Sequence, residues 1–259
     1  MSAREMYTKI KPETMGRDKF EAFCFLLGFK VIQSRNFRRT TDSSGVERFP
    51  NLIEGRELTR VNQVLVSDIT YYELNGRFYY LTFIMDLYSR EIVGFSVSKS
   101  LRTATTTVPA LRMAIRKIGV ENLVGTIIHS DGGGQYYAKI FTELISKLKM
   151  RSSMAKEVYD NSHSERVNGT IKNDYLIPYN PQNEVALMRE LARAVMNYNT
   201  GRPHKSLQGK TPAEYRESNP GSIMIIKKIT TTITVEKNAP GTSRLSIASS
   251  SHEVTPCPF

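Results

Sequence analysis

Apolar and polar positions change their period along this chain, and the changes divide it into elements. Residues 1–41 carry apolar side chains near helical spacing, at Phe20, Phe23, Leu26 and Leu27 within GRDKFEAFCFLLGFKV, and predict a small helical segment. Residues 42–59 are polar and rich in turn formers and read as a linker. Three β-rich runs follow, VLVSDITYY, RFYYLTFIMD and EIVGFSVS. Asn75-Gly76 breaks the first pair, a strong hairpin signal, and Leu87 to Arg90 breaks the second. The pattern then alternates. TATTTVPALRMAIRKIG reads as a helix, LVGTIIHSD as a buried strand, QYYAKIFTELISKLK as a helix, RSSMA as a short strand and SERVNGTIKNDYL as a helix. Three antiparallel strands followed by alternating helices and strands predict an α/β unit over residues 60–180, a mixed five-stranded sheet flanked by helices. Residues 181–217 add a long helix, NEVALMRELARAVMNYNT, that ends near Gly201. The tail, 218–259, is rich in Ser and Thr; ITTTITV within it reads as a strand with no clear partner.

Composition narrows the class of partner. Lysine and arginine outnumber acids by 36 to 25, a net charge of +11, which favours a polyanion because each phosphate contact releases counterions. The stretch from Phe29 to Thr41 holds no acid and carries Lys30, Arg35, Arg38 and Arg39. It reads as a basic arm on a helical DNA-binding segment, with Arg38 and Arg39 as candidate DNA contacts. No apolar run approaches the roughly 18 residues of a membrane helix, and MSAREMYTKIKPE lacks the apolar core of a secretory signal. The expectation is a cytoplasmic chain with no membrane partner. Cys24 and Cys257 lie at opposite ends, and four scattered histidines make no zinc site. Cys24, in AFCFLLGF, reads as a small core residue.

Chemistry enters with the carboxylates. Asp68 interrupts an otherwise strand-like run, Val64 to Ile69, where a charge is costly unless paired or metal-bound. Asp131 ends the strand of TIIHSDGGGQY. Three glycines then turn the backbone away and leave the carboxylate at a rim, where α/β sheets place ligands. A third acid has two candidates, Glu157 in the loop-like AKEVYDN and Glu165 in a helix opened by Asp160, Asn161 or Ser162. Helical spacing sets Asn161, Glu165, Asn168 and Lys172 on one polar stripe, opposite Val167 and Ile171. Glu165 then faces the sheet rim and Lys172 is placed to meet phosphate. Carboxylates suit magnesium, a cation that prefers oxygen ligands, and two ions about 4 Å apart serve both oxygens of a phosphodiester displacement. Of the neighbours, His129 reads as a strand-end histidine with a structural hydrogen bond and Asp86 as a turn residue. Tyr71, Tyr72, Tyr79 and Tyr80 read as packing, whereas Tyr136 and Tyr137 are placed to meet a base or sugar. Arg202, His204 and Lys205 either touch DNA or fasten their loop to the core.

Taken in order, the blocks VNQVLVSDITYY, FIMDLYSREIVGFSVS, IIHSDGGGQYYAKIF, YDNSHSERVNGTIKNDYL and NYNTGRPHKSLQGKTPAEY resemble those of the integrase-core transposases, relatives of retroviral integrases. The nearest resemblance is to the larger-frame product of bacterial insertion sequences with two overlapping frames, over roughly Arg60 to Arg216. It implies a ribonuclease-H-like core and a catalytic and metal-binding triad of Asp68, Asp131 and Glu165, and it argues against Glu157. It implies Mg²⁺, with Mn²⁺ as a substitute and two ions per active site. DNA contacts are expected from Asn161, Asn168 and Lys172, with Tyr136 beside them. The activity implied is cleavage at element ends and strand transfer by a 3′-hydroxyl, performed by a homo-multimer on DNA, with a possible partner-frame product, in the bacterial cytoplasm and at the nucleoid when bound. Asp131 and Glu165 stand 34 positions apart, slightly closer than in these relatives, and Gly132 and Gly134 replace residues that are often Arg and Ser. Retroviral-type zinc binding is excluded because its His and Cys ligands are absent. Two rivals share the residues: a ribonuclease-H-like nuclease without joining activity, and an inactive DNA-binding regulator.

Overall fold

The computed structural model describes residues 2–29, 49–155 and 161–218, with the backbone of 224–225. Arg38, Arg39, Glu157 and the ITTTITV segment lie outside the described residues. The centre is a five-stranded sheet in the order β4-β3-β2-β5-β6. It is built from β2 (Val64–Leu74), β3 (Arg77–Asp86), β4 (Ile92–Ser98), β5 (Ile127–Ser130) and β6 (Arg151–Met154). β2, β3 and β4 pair antiparallel, as the Asn75-Gly76 turn requires, and β5 and β6 join β2 in parallel. The mixed sheet expected from the sequence is thus present, with each of its five strands where a β-rich run stands.

Strand periodicity sorts the core into two layers. Val64, Val66, Leu81, Phe83 and Met85 face one side and pack with Ile171, Leu187, Leu191 and Tyr198. Leu65, Ile84, Val93 and Ile128 face the other, against Leu111 and Ala114 of α3 (Thr107–Ile118) and Phe141 and Ile145 of α4 (Lys139–Lys147). Gly94 lets α3 lie close on β4: a Cβ there would sit 2.2 Å from the Ala110 carbonyl oxygen. The first layer is covered by α5 (Ser162–Thr170), a π-helical continuation over Ile171–Leu176, the short α6 (Ile177–Tyr179) and the long α7 (Glu184–Gly201). α8 (Pro212–Ser218) adds Tyr215 to that layer. Among the described residues no helix is long and apolar enough to cross a membrane.

Two expectations need correction. The linker is not merely polar connection: Ile53 and Leu58 are buried in the first layer, and β1 (Glu57–Leu58) pairs with β7 (Met224–Ile225). Isolated apolar residues in a turn-rich stretch gave no periodic signal, yet each fills the core. At the N-terminus, α1 (Ala3–Ile10) and α2 (Arg17–Leu26) pair through Tyr7 and Phe20, with ring centroids 5.6 Å apart. Cys24 is buried as expected, but Phe23, Leu26 and Leu27 are exposed. The helix pair is too small to cover all sides of so apolar a segment.

Candidate active site

Asp68 stands where β2 outgrows its parallel neighbour. β5 pairs with β2 from Val64 to Ser67, and the last pair is Ser67 with Ser130. The next residues of the two strands are Asp68 and Asp131, so adjacent parallel strands deliver their carboxylates side by side. β3 continues past this point and holds Asp68 opposite Phe83, which keeps the backbone extended. After Asp131 the chain turns through Gly132 at φ 81°, where a Cβ would lie 2.8 Å from Met154 Sδ. The left-handed backbone of this turn favours glycine. Asp131 Oδ1 accepts from the Gly133 backbone N–H at 3.1 Å.

α5 packs along β2 and, with its π-helical continuation, brings Asn168, Glu165 and Lys172 to the same rim. Asn168 donates Nδ2–H to Asp68 Oδ2 at 2.7 Å, while the Ile69 backbone N–H donates to Asp68 Oδ1 at 2.9 Å. Glu165 lies one turn earlier, exposed at the surface. Lys172 falls in the π-helical segment, whose wider turn shifts the phase of the stripe. Its ammonium sits 5.2 Å from the centre of the Tyr71 ring and close enough to Asp68 for their charges to interact.

The charges describe one coupled site. Burial pushes the Asp68 carboxyl well above the usual carboxylate range, and the charges of Asp131 and Glu165 push the same way, against the Ile69 hydrogen bond and Lys172. Burial likewise raises Asp131. Glu165 is raised by burial of its carboxyl end and by Asp131. Burial lowers Lys172, partly offset by Asp68. The three acids therefore act on one another's charge, and Lys172 offsets that of Asp68. Among the described residues, no three His, Cys, Asp or Glu side chains stand close enough to form a ready-made metal site.

The chain matches the family described as integrase core domain over residues 59–158, and a second family of the same description over 147–212. An uncharacterized 31 kDa protein of insertion element IS600 from Shigella sonnei is 33% identical over 210 residues, covering 78% of this chain and 75% of that one. The chain belongs to the insertion-sequence transposases with an integrase catalytic core. The transposase InsF of insertion sequence IS3A from Escherichia coli K12 is 30% identical over 167 residues, which span 61% of this chain and 55% of InsF. The fold of the family is the ribonuclease-H-like fold of retroviral integrases. The intasome of simian T-cell lymphotropic virus, solved with the PP2A regulatory subunit B56 gamma, matches at a TM-score of 0.57 and 20% identity, over 78% of this chain and 72% of that chain.

Several residues of this transposase sit otherwise than the sequence led us to expect. Tyr136 is buried, its hydroxyl 2.9 Å from Ser67 Oγ, and offers no face to a base; the glycine turn folds it inward beneath the aspartates. Asn161 is also buried, at the N-cap of α5, its side-chain atoms without a hydrogen-bond partner among the described residues; the helix begins against the sheet, so its first residue is covered. Asn168 is buried and turned to Asp68 rather than outward. Other readings agree with their positions. His129 is fully buried with Nδ1 2.9 Å from Ser153 Oγ. Asp86 caps its turn, accepting from the Asn62 and Ser89 backbone N–H groups and the Ser89 hydroxyl. Arg202 fastens its loop, paired with Asp174 at 2.6 Å and Glu5 at 3.2 Å. The support that Tyr71 gives Lys172 was not legible, because a strand tyrosine carries no sequence mark that separates packing from a cation seat.

Proposed function

We propose that this transposase cleaves DNA at the ends of its insertion sequence and joins each freed 3′-hydroxyl to a second phosphodiester. The observation that carries the reading is the pair of aspartates delivered by adjacent parallel strands at Ser67 and Ser130, with Glu165 near enough that burial and then the charge of Asp131 raise its carboxyl. InsF, a relative of this chain, is named as the transposase of its element.

A divalent cation fits the residues present. The donors are carboxylate oxygens, the ligands magnesium prefers. Their protonation is favoured by burial and mutual charge, a cost that a bound cation removes. Asp68 and Asp131 would hold the ions, Mg²⁺ with Mn²⁺ as a substitute, and Glu165 would complete a second position. When bound, such ions supply the charge that activates an attacking oxygen and steadies a leaving one. The protein's own groups prepare the ground. Asn168 fixes the Asp68 carboxylate, and Lys172, held over Tyr71, meets the phosphate charge. Cleavage forms one oxygen–phosphorus bond from water and breaks the bond to the 3′-oxygen, which leaves as a 3′-hydroxyl. Cleavage thus leaves a 5′-phosphate monoester beside the 3′-hydroxyl; in joining that hydroxyl gives up its proton, forms a new phosphodiester with a second strand and releases that strand's 3′-oxygen as a hydroxyl, so one phosphodiester replaces another. Two ends must be held together for joining, and the chain is proposed to act as a homo-multimer on DNA.

The test is cleavage and joining of labelled element-end DNA in Mg²⁺ or Mn²⁺. Metal-dependent joined products are expected. Nicking alone would favour a nuclease, and binding without chemistry would favour a regulator. Asn168→Ala supplies a narrower check. Groups that orient metal ligands typically matter by about 10–100-fold, so single-turnover cleavage should slow by that factor with DNA binding unchanged. A wild-type rate would mean that Asp68 needs no such support.

A further inference from the structure

The glycine-rich turn after Asp131 has no regular structure of its own to fix it. Gly132 to Gly134 leave it free of side chains, and only a single 3₁₀ turn, Gly134–Tyr136, follows before α4. Its anchors are side chains. Gln135 donates Nε2–H to the Leu101 carbonyl at 3.1 Å. The Tyr137 hydroxyl donates to the Gly132 carbonyl. The third anchor reaches the other aspartate strand: the Tyr136 hydroxyl lies 2.9 Å from the Oγ of Ser67, the residue before Asp68.

The direction of that bond follows from counting hydrogens. Ser67 Oγ also lies 3.0 Å from the Phe83 carbonyl oxygen, which can only accept. The one hydroxyl hydrogen of Ser67 is therefore spent on Phe83, and Tyr136 donates to Ser67. Burial, with the charges of Asp131 and Asp68, raises the Tyr136 hydroxyl well above its usual range, so it remains a donor at any working pH. Its ring is seated edge-on against Phe141, with centroids 5.5 Å apart at 86°. Tyr136 is thus rigid at the ring and bonded at the tip.

We propose that Tyr136 is a positioning residue, whose buried hydroxyl ties the turn carrying Asp131 to the strand carrying Asp68 and so sets the separation of the two carboxylates. The chain of contact runs from Phe141 through Tyr136 and Ser67 to Phe83, across β2 and into β3. Tyr136 and Ser67 are both buried, so the tie acts through the carboxylates. Its effect on chemistry is through the distance between two metal ligands. Fixing ligand geometry is the usual work of groups just outside a metal site.

The inference rests on the proposed function, and the test separates the two. Tyr136→Phe keeps the ring in its seat and deletes the tie, while Ser67 still donates to Phe83. Mn²⁺ is titrated into the metal-free full chain, with free Mn²⁺ read by electron paramagnetic resonance, for wild type, Tyr136→Phe, Ser67→Ala and Asp68→Asn. Tyr136→Phe and Ser67→Ala should each weaken Mn²⁺ binding about 10-fold or more. The Mg²⁺ concentration for half-maximal cleavage should rise in step, at an unchanged KM for DNA. Wild-type Mn²⁺ affinity in Tyr136→Phe, whatever its melting temperature, overturns the positioning role and leaves the proposed function standing. A wild-type chain that binds no Mn²⁺ overturns both. Should Tyr136→Phe fail to fold, the same reading is taken from Ser67→Ala, which removes the acceptor from the β2 side.

Discussion

Asp68→Asn is expected to abolish cleavage and joining while raising the melting temperature of the metal-free protein. The two effects share one cause. In the folded chain the Asp68 carboxylate is buried, with Asp131 and Glu165 opposing its charge. A group whose pKa is raised on folding stabilises the fold at low pH, and that contribution is lost as pH rises through the folded value. At neutral pH this carboxyl is thus a burden on the metal-free fold. Asparagine removes the charge yet retains an oxygen to accept from Asn168 and the Ile69 N–H. Each kcal/mol gained corresponds to roughly 2–4 °C in a chain of this size. Divalent cations reverse the order, because a ligand that binds only the folded state stabilises it by mass action, and wild type binds where the variant does not. The loss of chemistry is the larger effect. Metal-based charge stabilisation amounts to several kcal/mol, and each 1.36 kcal/mol is tenfold in rate, so the rate should drop on the order of 10³-fold or more. Melting curves with and without Mg²⁺, beside single-turnover assays, check both halves. A variant that melts lower without metal, or that still cleaves, would remove Asp68 from the site.

Legibility followed the range of the interactions. Strand alternation, the Asn75-Gly76 turn and the long helix are written in residues a few positions apart, so the sheet and most of its helices were readable. The two aspartates were readable too, since an acid inside or ending an apolar strand is visible without knowing its neighbours. Their side-by-side placement was not, because it depends on the Ser67–Ser130 register, a contact between segments far apart in sequence. The helix stripe was half readable. Glu165 and Asn168 follow α-helical spacing, but the switch to a π-helix at Ile171 alters the phase before Lys172, and no residue there marks it. Polar residues near the carboxylates were the least legible. Asn161 and Asn168 were expected as DNA contacts from the family resemblance, and Tyr136 from its place beside Asp131 in sequence. Only the fold decides whether such a group faces solvent or the ligands, and all three turn inward.

His204 should make the fold acid-labile well above the range where carboxylates protonate. It lies in the loop that follows α7, its ring packed edge-on against Tyr198 at 5.0 Å between centroids, its Nε2 buried without a hydrogen-bond partner among the described residues. Burial lowers its pKa to about 4, the Arg202, Arg90 and Arg166 guanidiniums push the same way, and Glu5 opposes them. Arg202 is itself held by Glu5 and Asp174. A histidine with a folded pKa below its unfolded value of about 6.5 binds fewer protons folded than unfolded throughout the interval between them. Its contribution to stability is complete above pH 6.5 and is lost as pH falls through that interval toward about 4. At 1.36 kcal/mol per pKa unit, the loss by pH 4 is on the order of 3 kcal/mol, a large share of the 5–15 kcal/mol typical of a domain. The raised carboxyls of Asp68 and Glu165 act in the opposite sense over the same range, so the slope of wild type alone does not isolate the histidine. The difference between wild type and His204→Gln does, because the carboxyls cancel. Urea unfolding at intervals from pH 4 to 8 should find the variant gaining on wild type steadily below pH 6.5 and running parallel to it above. A difference that stays constant across the whole range would mean that folding leaves the His204 pKa unchanged.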